Sequence, residues 1–449
     1  MEDPGLPESL VLFFLLGALA VTAIWTGRES YEQKRHVIRL FLIAFVARFG
    51  LSVLVYQFGL VKVLGDEDGM GWFYGKLVYE RWMSAGVSML EIPGRLFEAF
   101  EGAGGQHLGY RVMLGAFFFI TQSPVRLAAA ALNALYGGLI VVYVYRIARL
   151  LFSQWVATAS GWIICWAPSM IVWSALTVKE PIVILLETIA LYGCLCIRRK
   201  EGTVYWFVMC ALCTIALASL RFYATYIVTA GVLLSLTASR EVTPARFASA
   251  VILVLLVVAA LSRTGALAQH EEYVGSWDMR RIQGFRNALA TDDRIQGGGK
   301  SGVRTSYDMT TPVGAALAVG IGAVHMALAP FPWQLGGGSV RMLATLPELA
   351  GWWWLFFAGL VPGWRLVVRT RLADVSSMLV LILGFGLVYS ATFGNVGLVF
   401  RQRAQLLPWL IVISCVGLQE RQLRRLSVQQ QFETSAGLPE RPRRMIQGV

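Results

Sequence analysis

One apolar stretch after another, each of 16–21 residues, runs through this chain, near 10–26, 38–58, 127–146, 155–174, 181–197, 204–220, 222–238, 247–262, 347–366, 374–391 and 404–419. A helix of that length crosses the hydrocarbon core of a bilayer. Lipid offers no partner for a backbone N–H or C=O, so only helices and closed barrels can span it. Barrel strands alternate apolar and polar residues over about ten positions, and these stretches do not. The expected fold is therefore all-α: a polytopic integral membrane protein of about eleven transmembrane helices. Composition agrees, with 56% hydrophobic and 15% charged residues, against about 25% charged in soluble domains. A soluble enzyme, a disordered chain and a secreted disulfide scaffold are excluded.

The net charge of +12 is distributed in short basic clusters between the stretches. Arg28, Lys34, Arg35 and Arg39 follow the first stretch, Arg146 and Arg149 the third, Arg198, Arg199 and Lys200 the fifth, and Arg240 and Arg246 the seventh. Arg365, Arg369 and Arg371 follow the ninth, and Arg421, Arg424, Arg425, Arg441, Arg443 and Arg444 close the chain. Basic loops stay cytoplasmic. Eleven spans with the N-terminus outside put every cluster on that side, in a multi-pass protein of the cytoplasmic (inner) membrane. Two semi-apolar stretches, 108–122 and 313–330, would flip later clusters if either crossed once, so both are expected to be interfacial or re-entrant.

The expected organisation is an extra N-terminal helix and loop at 1–37, then a transmembrane module at 38–262 that includes a first outer loop at 59–126. A second outer region at 263–346 follows, with Gly-Gly-Gly-Lys at 297–300, then C-terminal helices at 347–419 and a polar, disordered cytoplasmic tail at 420–449. Loops this long are usually functional. No internal repeat of the transporter kind is evident. The six cysteines all lie in apolar stretches and read as packing residues. His36, His107, His270 and His325 have no metal-ligand spacing. Glu2, Asp3 and Glu8 at the N-terminus argue against a cleaved signal peptide. No basic, aromatic-interleaved soluble face is present, so nucleic acid is not an expected partner.

The chemistry-bearing residues gather at the outer side of this topology. Asp66, Glu67 and Asp68 follow the second stretch and lead into an aromatic segment, Met70 to Trp82. Adjacent carboxylates resist ionising together, which suits a general base or an oxygen site for a divalent cation. The same run also reads as a solvated turn capping an interfacial helix. Lys179-Glu180-Pro181 places a charged pair at the same surface; such residues are costly in a membrane, although a snorkelling pair at a helix boundary gives the same pattern. Arg221, Arg401 and Arg403 run against the positive-inside bias. Their guanidinium forks fit phosphate oxygens or an ion pair with the acids just named. Ala329-Pro330-Phe331-Pro332-Trp333 forms an aromatic turn suited to stacking on a sugar ring or anchoring at the interface, and Glu348 is a further intramembrane acid.

With these residues the chain resembles the bacterial membrane glycosyltransferases of the GT-C type, which use polyprenyl-phosphate-linked sugars. The similarity runs over about 38–238: the Asp66-Glu67-Asp68 motif and its aromatic helix, Leu132-Asn133-Ala134-Leu135, Tyr145 to Phe152, Ala167-Pro168-Ser169, and Ser174 to Glu180. The resemblance implies an inverting transfer from a polyprenyl-phosphate sugar donor to a glycan, lipid or protein acceptor. In it Asp66 or Asp68 is the base, Glu180 the second acidic position, and Mg2+ or Mn2+ a possible cofactor held by Asp66 and Asp68. Arg221, Arg401, Arg403 and Lys179 are the candidates for binding the donor phosphate. An extra span precedes the family's usual first one. The C-terminal half also resembles envelope-polysaccharide proteins, so a Wzy-type polymerase using diphosphate-lipid oligosaccharides is an alternative. A lipid-linked sugar transporter is another.

Overall fold

The computed structural model describes residues 5–27, 29–61, 68–100, 105–237, 244–263, 278–291, 302–303, 307–334 and 346–435. They are helical almost throughout; the β-type pairing among them is a single bridge between Gly302 and Asn395. The first helices are α1 (Leu6–Trp25), α2 (Tyr31–Gln57), α3 (Asp68–Ser84), α4 (Gly105–Thr121) and α5 (Arg126–Leu151). Next come α6 (Gln154–Trp166), α7 (Pro168–Ala175), α8 (Glu180–Arg198), α9 (Thr203–Leu220), α10 (Phe222–Thr237) and α11 (Pro244–Arg263). Residues 263–346 include α12 (Met279–Thr291) and α13 (Pro312–Leu328), followed by α14 (Leu346–Leu355), α15 (Val361–Thr370), α16 (Leu372–Ala391) and α17 (Val396–Ser435).

The protein is an all-α polytopic membrane protein. Among the described residues seven helices (α1, α2, α5, α8, α9, α16 and α17) are long and apolar enough to cross a bilayer. The pair α6 and α7, bent by 53°, makes an eighth as one broken span. The difference from eleven lies in three places. The 16-residue α10 starts directly after the non-helical Arg221, and within α11 the apolar segment among the described residues is Ala248–Ala259. The stretch at 347–366 is helical but passes through a π segment at Phe356–Leu360, just ahead of Pro362. A proline cannot donate to the preceding turn, and the ladder widens there to accommodate it. The expected single span at 155–174 is corrected to two half-helices: Ala167 is extended ahead of Pro168, as the residue before a proline prefers. Where a disordered tail is expected from 420, α17 instead continues helical to Ser435. Residues 436–449 of that tail lie outside the described residues.

The buried centre is α5, whose Ala128 to Ala131 and Ile140 to Val142 are fully enclosed, with α1, α2, α6 and α8 packed around it. Small residues let helices approach where lipid supplies no hydrophobic drive. In the α3–α4 hairpin a Cβ at Gly75 would lie 2.6 Å from Leu114 Cβ. At the other end of the molecule α17 meets the π segment and α15 with close backbone approaches: Gly417 faces the Gly359 carbonyl, and Gly363 the Ile413 carbonyl. A side chain at either position strikes backbone, which cannot swing aside. Gly417→Leu is therefore expected to lower the stability by at least the ~1–3 kcal/mol typical of overpacking, read as the unfolding midpoint in detergent. Gly351→Ala, which opens onto free space, stays within about 0.5 kcal/mol of the wild type.

Candidate functional site

The turn from α7 to α8 is where four of the expected site residues, Lys179, Glu180, Arg221 and Arg401, come together. Leu176 leaves α7 extended, and Pro181 in the first turn of α8 restarts the helix without an N–H to orphan. Asn133, fully enclosed on α5, holds this turn: its Nδ2 donates to the carbonyls of Leu176 at 2.6 Å and Val178 at 2.8 Å, while its Oδ1 accepts from Tyr110 Oη at 3.3 Å. On the far side Gly71, one turn into α3, presses its backbone on the Thr177 carbonyl and the Tyr110 ring, and a Cβ there would collide with both. The start of α3, which Asp68 opens, is thereby placed against the turn that carries Lys179 and Glu180. Asp66 and Glu67 lie outside the described residues.

Glu180 is 1% exposed and is gripped by two arginines from distant parts of the chain. Arg401 makes a bidentate pair, Nε to Oε1 at 2.8 Å and Nη2 to Oε2 at 3.0 Å, and Arg221 Nη2 reaches Oε1 at 2.8 Å. Forked, charge-assisted bonds of this kind offset the cost of burying the ions, and each partner left alone would be costly. Glu180 also stands in the first turn of α8, where the helix dipole favours an anion. Trp173 of α7 lies under the Arg401 guanidinium at 5.8 Å. Lys179 does not snorkel: it is 7% exposed and its Nζ donates to the Leu220 carbonyl at 3.0 Å, capping the end of α9. Arg221 follows directly in the gap between α9 and α10.

Behind this pair a polar network extends into the membrane-spanning helices. Arg221 Nη1 donates to Tyr389 Oη at 2.7 Å and to Gln405 Oε1 at 2.6 Å. Gln405 also accepts from Tyr389 and passes its own N–H to Glu187, two turns below Glu180 on α8. Tyr223 closes the group through Tyr389 at 3.4 Å.

Arg403 lies apart from this cluster. Two residues beyond Arg401, it faces another side of α17 and donates to the carbonyls of His325, Met326 (2.9 Å) and Ala329. It caps α13 there, a different role from the expected phosphate ligand. Glu348 meets the break in the α6–α7 span, where its carboxylate accepts from Ser169 N at 2.7 Å and Ser169 Oγ at 2.6 Å. Arg48 of α2, also fully buried, supplies the opposite half of the break by donating to the carbonyls of Ile164 and Cys165 at 3.2 Å. No group of three or more His, Cys, Asp or Glu suited to a metal forms among the described residues. The expected Mg2+ or Mn2+ position at Asp66 and Asp68 includes Asp66, which lies outside the described residues.

Asn133, Glu187, Tyr389, Gln405 and Arg48 hold this region through their hydrogen bonds, and sequence reading did not single them out as site residues. Arg48 and Glu187 carried a signal, because an ionisable residue inside an apolar stretch marks a partner. Gln405 and Tyr389 carried none until the helices were placed.

No family model matches the chain, and no curated protein does. Among solved structures it is similar to the archaeal oligosaccharyltransferase AglB from Archaeoglobus fulgidus in complex with an inhibitory peptide and a dolichol-phosphate, at 14% identity and a TM-score of 0.44. It is also similar to the apo form of an oligosaccharyltransferase of the same organism, at 15% identity and a TM-score of 0.48. In both cases 92% of this chain and 53% of the other are covered, so the chain spans about half the length of the structures it matches.

Proposed function

We propose that the protein is a membrane glycosyltransferase that moves a sugar from a polyprenyl-phosphate-linked donor to a cell-envelope glycan, lipid or protein acceptor at the outer face of the cytoplasmic membrane. One observation carries the reading: the beginning of α3, where the acidic motif ends, is packed on the turn that leads to the buried Glu180–Arg221–Arg401 group. A base beside clustered cations is what transfer from a phosphate-linked sugar needs.

In this reading Asp66 or Asp68 takes the proton of the acceptor hydroxyl. The oxygen attacks the anomeric carbon from the side opposite the leaving group, a C–O bond forms, and the bond from that carbon to the phosphate oxygen breaks with inversion. The departing phosphate leaves with the bonding electron pair. Lys179, Arg221 and Arg401 provide the positive field that stabilises it. Glu180 acts on these arginines by holding them in place. A divalent cation bound at Asp66 and Asp68 would supply further charge stabilisation for the same phosphate.

The test is transfer by purified protein from radiolabelled polyprenyl-phosphate sugars, with Asp66→Asn and Asp68→Asn, and with and without EDTA. Loss of a positioned base costs about 10²–10⁴-fold, so one of the two variants falls by that factor while donor binding persists. Equal activity in wild type and both variants removes the base assignment. Chaining of diphosphate-linked oligosaccharides with no consumption of monophosphate donors would point to a polymerase, and movement of lipid-linked sugar with no new bond to a transporter.

A further inference from the structure

A row of four rings leads from the core to the surface beside this site. Phe393 is buried at 1% exposure and stacks on His325, with centroids 4.5 Å apart and planes 27° from parallel. His325 meets Phe331 edge-on at 5.3 Å, and Phe331 stacks on Trp333 at 4.8 Å with the planes only 7° apart. Trp333 is 76% exposed. The row is held on every side. Pro330 and Pro332 fix the backbone on either side of Phe331. Gln334 accepts from Phe331 N at 2.9 Å, which turns its amide N–H toward His325 Nε2 at 3.2 Å, while His325 Nδ1 bonds the Ile321 carbonyl at 2.9 Å. Arg403 then ties the carbonyls of His325, Met326 and Ala329 to the same turn of α17 that presents Arg401 to Glu180.

We propose that Trp333 is the stacking platform for a pyranose ring of the substrate, a reading that rests on the proposed glycosyl transfer. A flat aromatic face takes the C–H face of a sugar, and the hydroxyls at the ring edge remain in water or on polar neighbours. The platform is already ordered, so binding spends little on fixing it. Other exposed tryptophans lie on helices: Trp25, Trp166 and Trp354 are on α1, α6 and α14, at 48%, 55% and 60% exposure. Trp333 is more exposed than these and lies in a turn outside every spanning helix. The flat, supported face suits the C–H face of a sugar ring.

The experiment uses the full chain in lipid nanodiscs and saturation-transfer NMR with methyl α-D-mannopyranoside, methyl α-D-glucopyranoside and methyl β-D-galactopyranoside. Saturation passes to ring C–H protons of at least one sugar in the wild type. Trp333→Phe keeps a stacking ring and retains it, and Trp333→Ala weakens binding about tenfold, equivalent to about 1.4 kcal/mol. Absence of transfer in the wild type, or an unchanged signal in Trp333→Ala, overturns the platform. Nanodiscs of brominated lipid test the other occupant: if they quench the emission that distinguishes wild type from Trp333→Phe, the ring is an interfacial anchor and the proposal fails. The readout needs no turnover. Sugar binding that depends on Trp333 in a protein without transferase activity upholds the platform and sinks the function. Turnover with the KM of donor and acceptor both unchanged in Trp333→Ala does the reverse; a raised KM for one of them names the substrate that stacks.

Discussion

Replacing Glu180 with alanine lowers the stability of the folded protein by about 3–5 kcal/mol, the usual cost of leaving a buried ion without its partner. Two guanidinium groups lose their shared carboxylate at once, since Arg221 and Arg401 both bond Glu180 and are each 8% exposed. Arg401→Met is milder, because Glu180 keeps Arg221 and the methionine fills much of the vacated volume beside Trp173. Chemical unfolding in detergent, followed by tryptophan emission, measures both. Transfer activity falls with either substitution, so activity alone does not separate holding the arginines from doing chemistry. The base variant, whichever of Asp66→Asn and Asp68→Asn it proves to be, provides the contrast: it removes transfer and leaves the unfolding midpoint in place. If Glu180→Ala unfolds at the wild-type midpoint, the ion pair does not hold the folded bundle together.

Much of the helical layout could be read from the apolar stretches, because span length and hydropathy are local properties. The out-of-place charges were legible too: Glu180, Lys179, Arg221 and Arg401 each stood out, and an ion pair with the outer carboxylates was among the expected arrangements. Hydropathy could not reveal the break at Ala167-Pro168, since two short apolar halves sum to one span-length window. The proline was visible, but only the bend shows that Arg48 and Glu348 serve its two ends. Arg403 parts from Arg401 for a geometric reason. Two positions along a helix turn a side chain by about 200°, so Arg401 and Arg403 answer to different neighbours although they are adjacent in the motif. Gln405, Tyr389 and Asn133 are ordinary in sequence, and their roles come from contacts between segments far apart along the chain.

Arg48→Met is expected to cost about 2–4 kcal/mol, from two carbonyls left without donors at ~1–3 kcal/mol each, partly offset by removing a buried charge. The break explains why those carbonyls need Arg48. In an uninterrupted helix the Ile164 carbonyl would accept from the N–H of residue 168, but Pro168 has none. The Cys165 carbonyl would accept from Ser169, whose N–H is given to Glu348 instead. Arg48 replaces both missing donors, with Nη2 on Ile164 and Nη1 on Cys165. It therefore stands in for a proline-deleted bond, and a double-mutant cycle with Pro168→Ala tests that relation. Alanine at 168 restores an N–H, so Arg48→Met should cost about 1–3 kcal/mol less in the Pro168→Ala background than in the wild type. Equal costs in both backgrounds would mean that Arg48 stabilises the helix bundle in some other way. The bend also aims α7, with Trp173 and the turn to Glu180, at Arg401. Transfer activity should therefore fall in Arg48→Met even at temperatures where the protein remains folded.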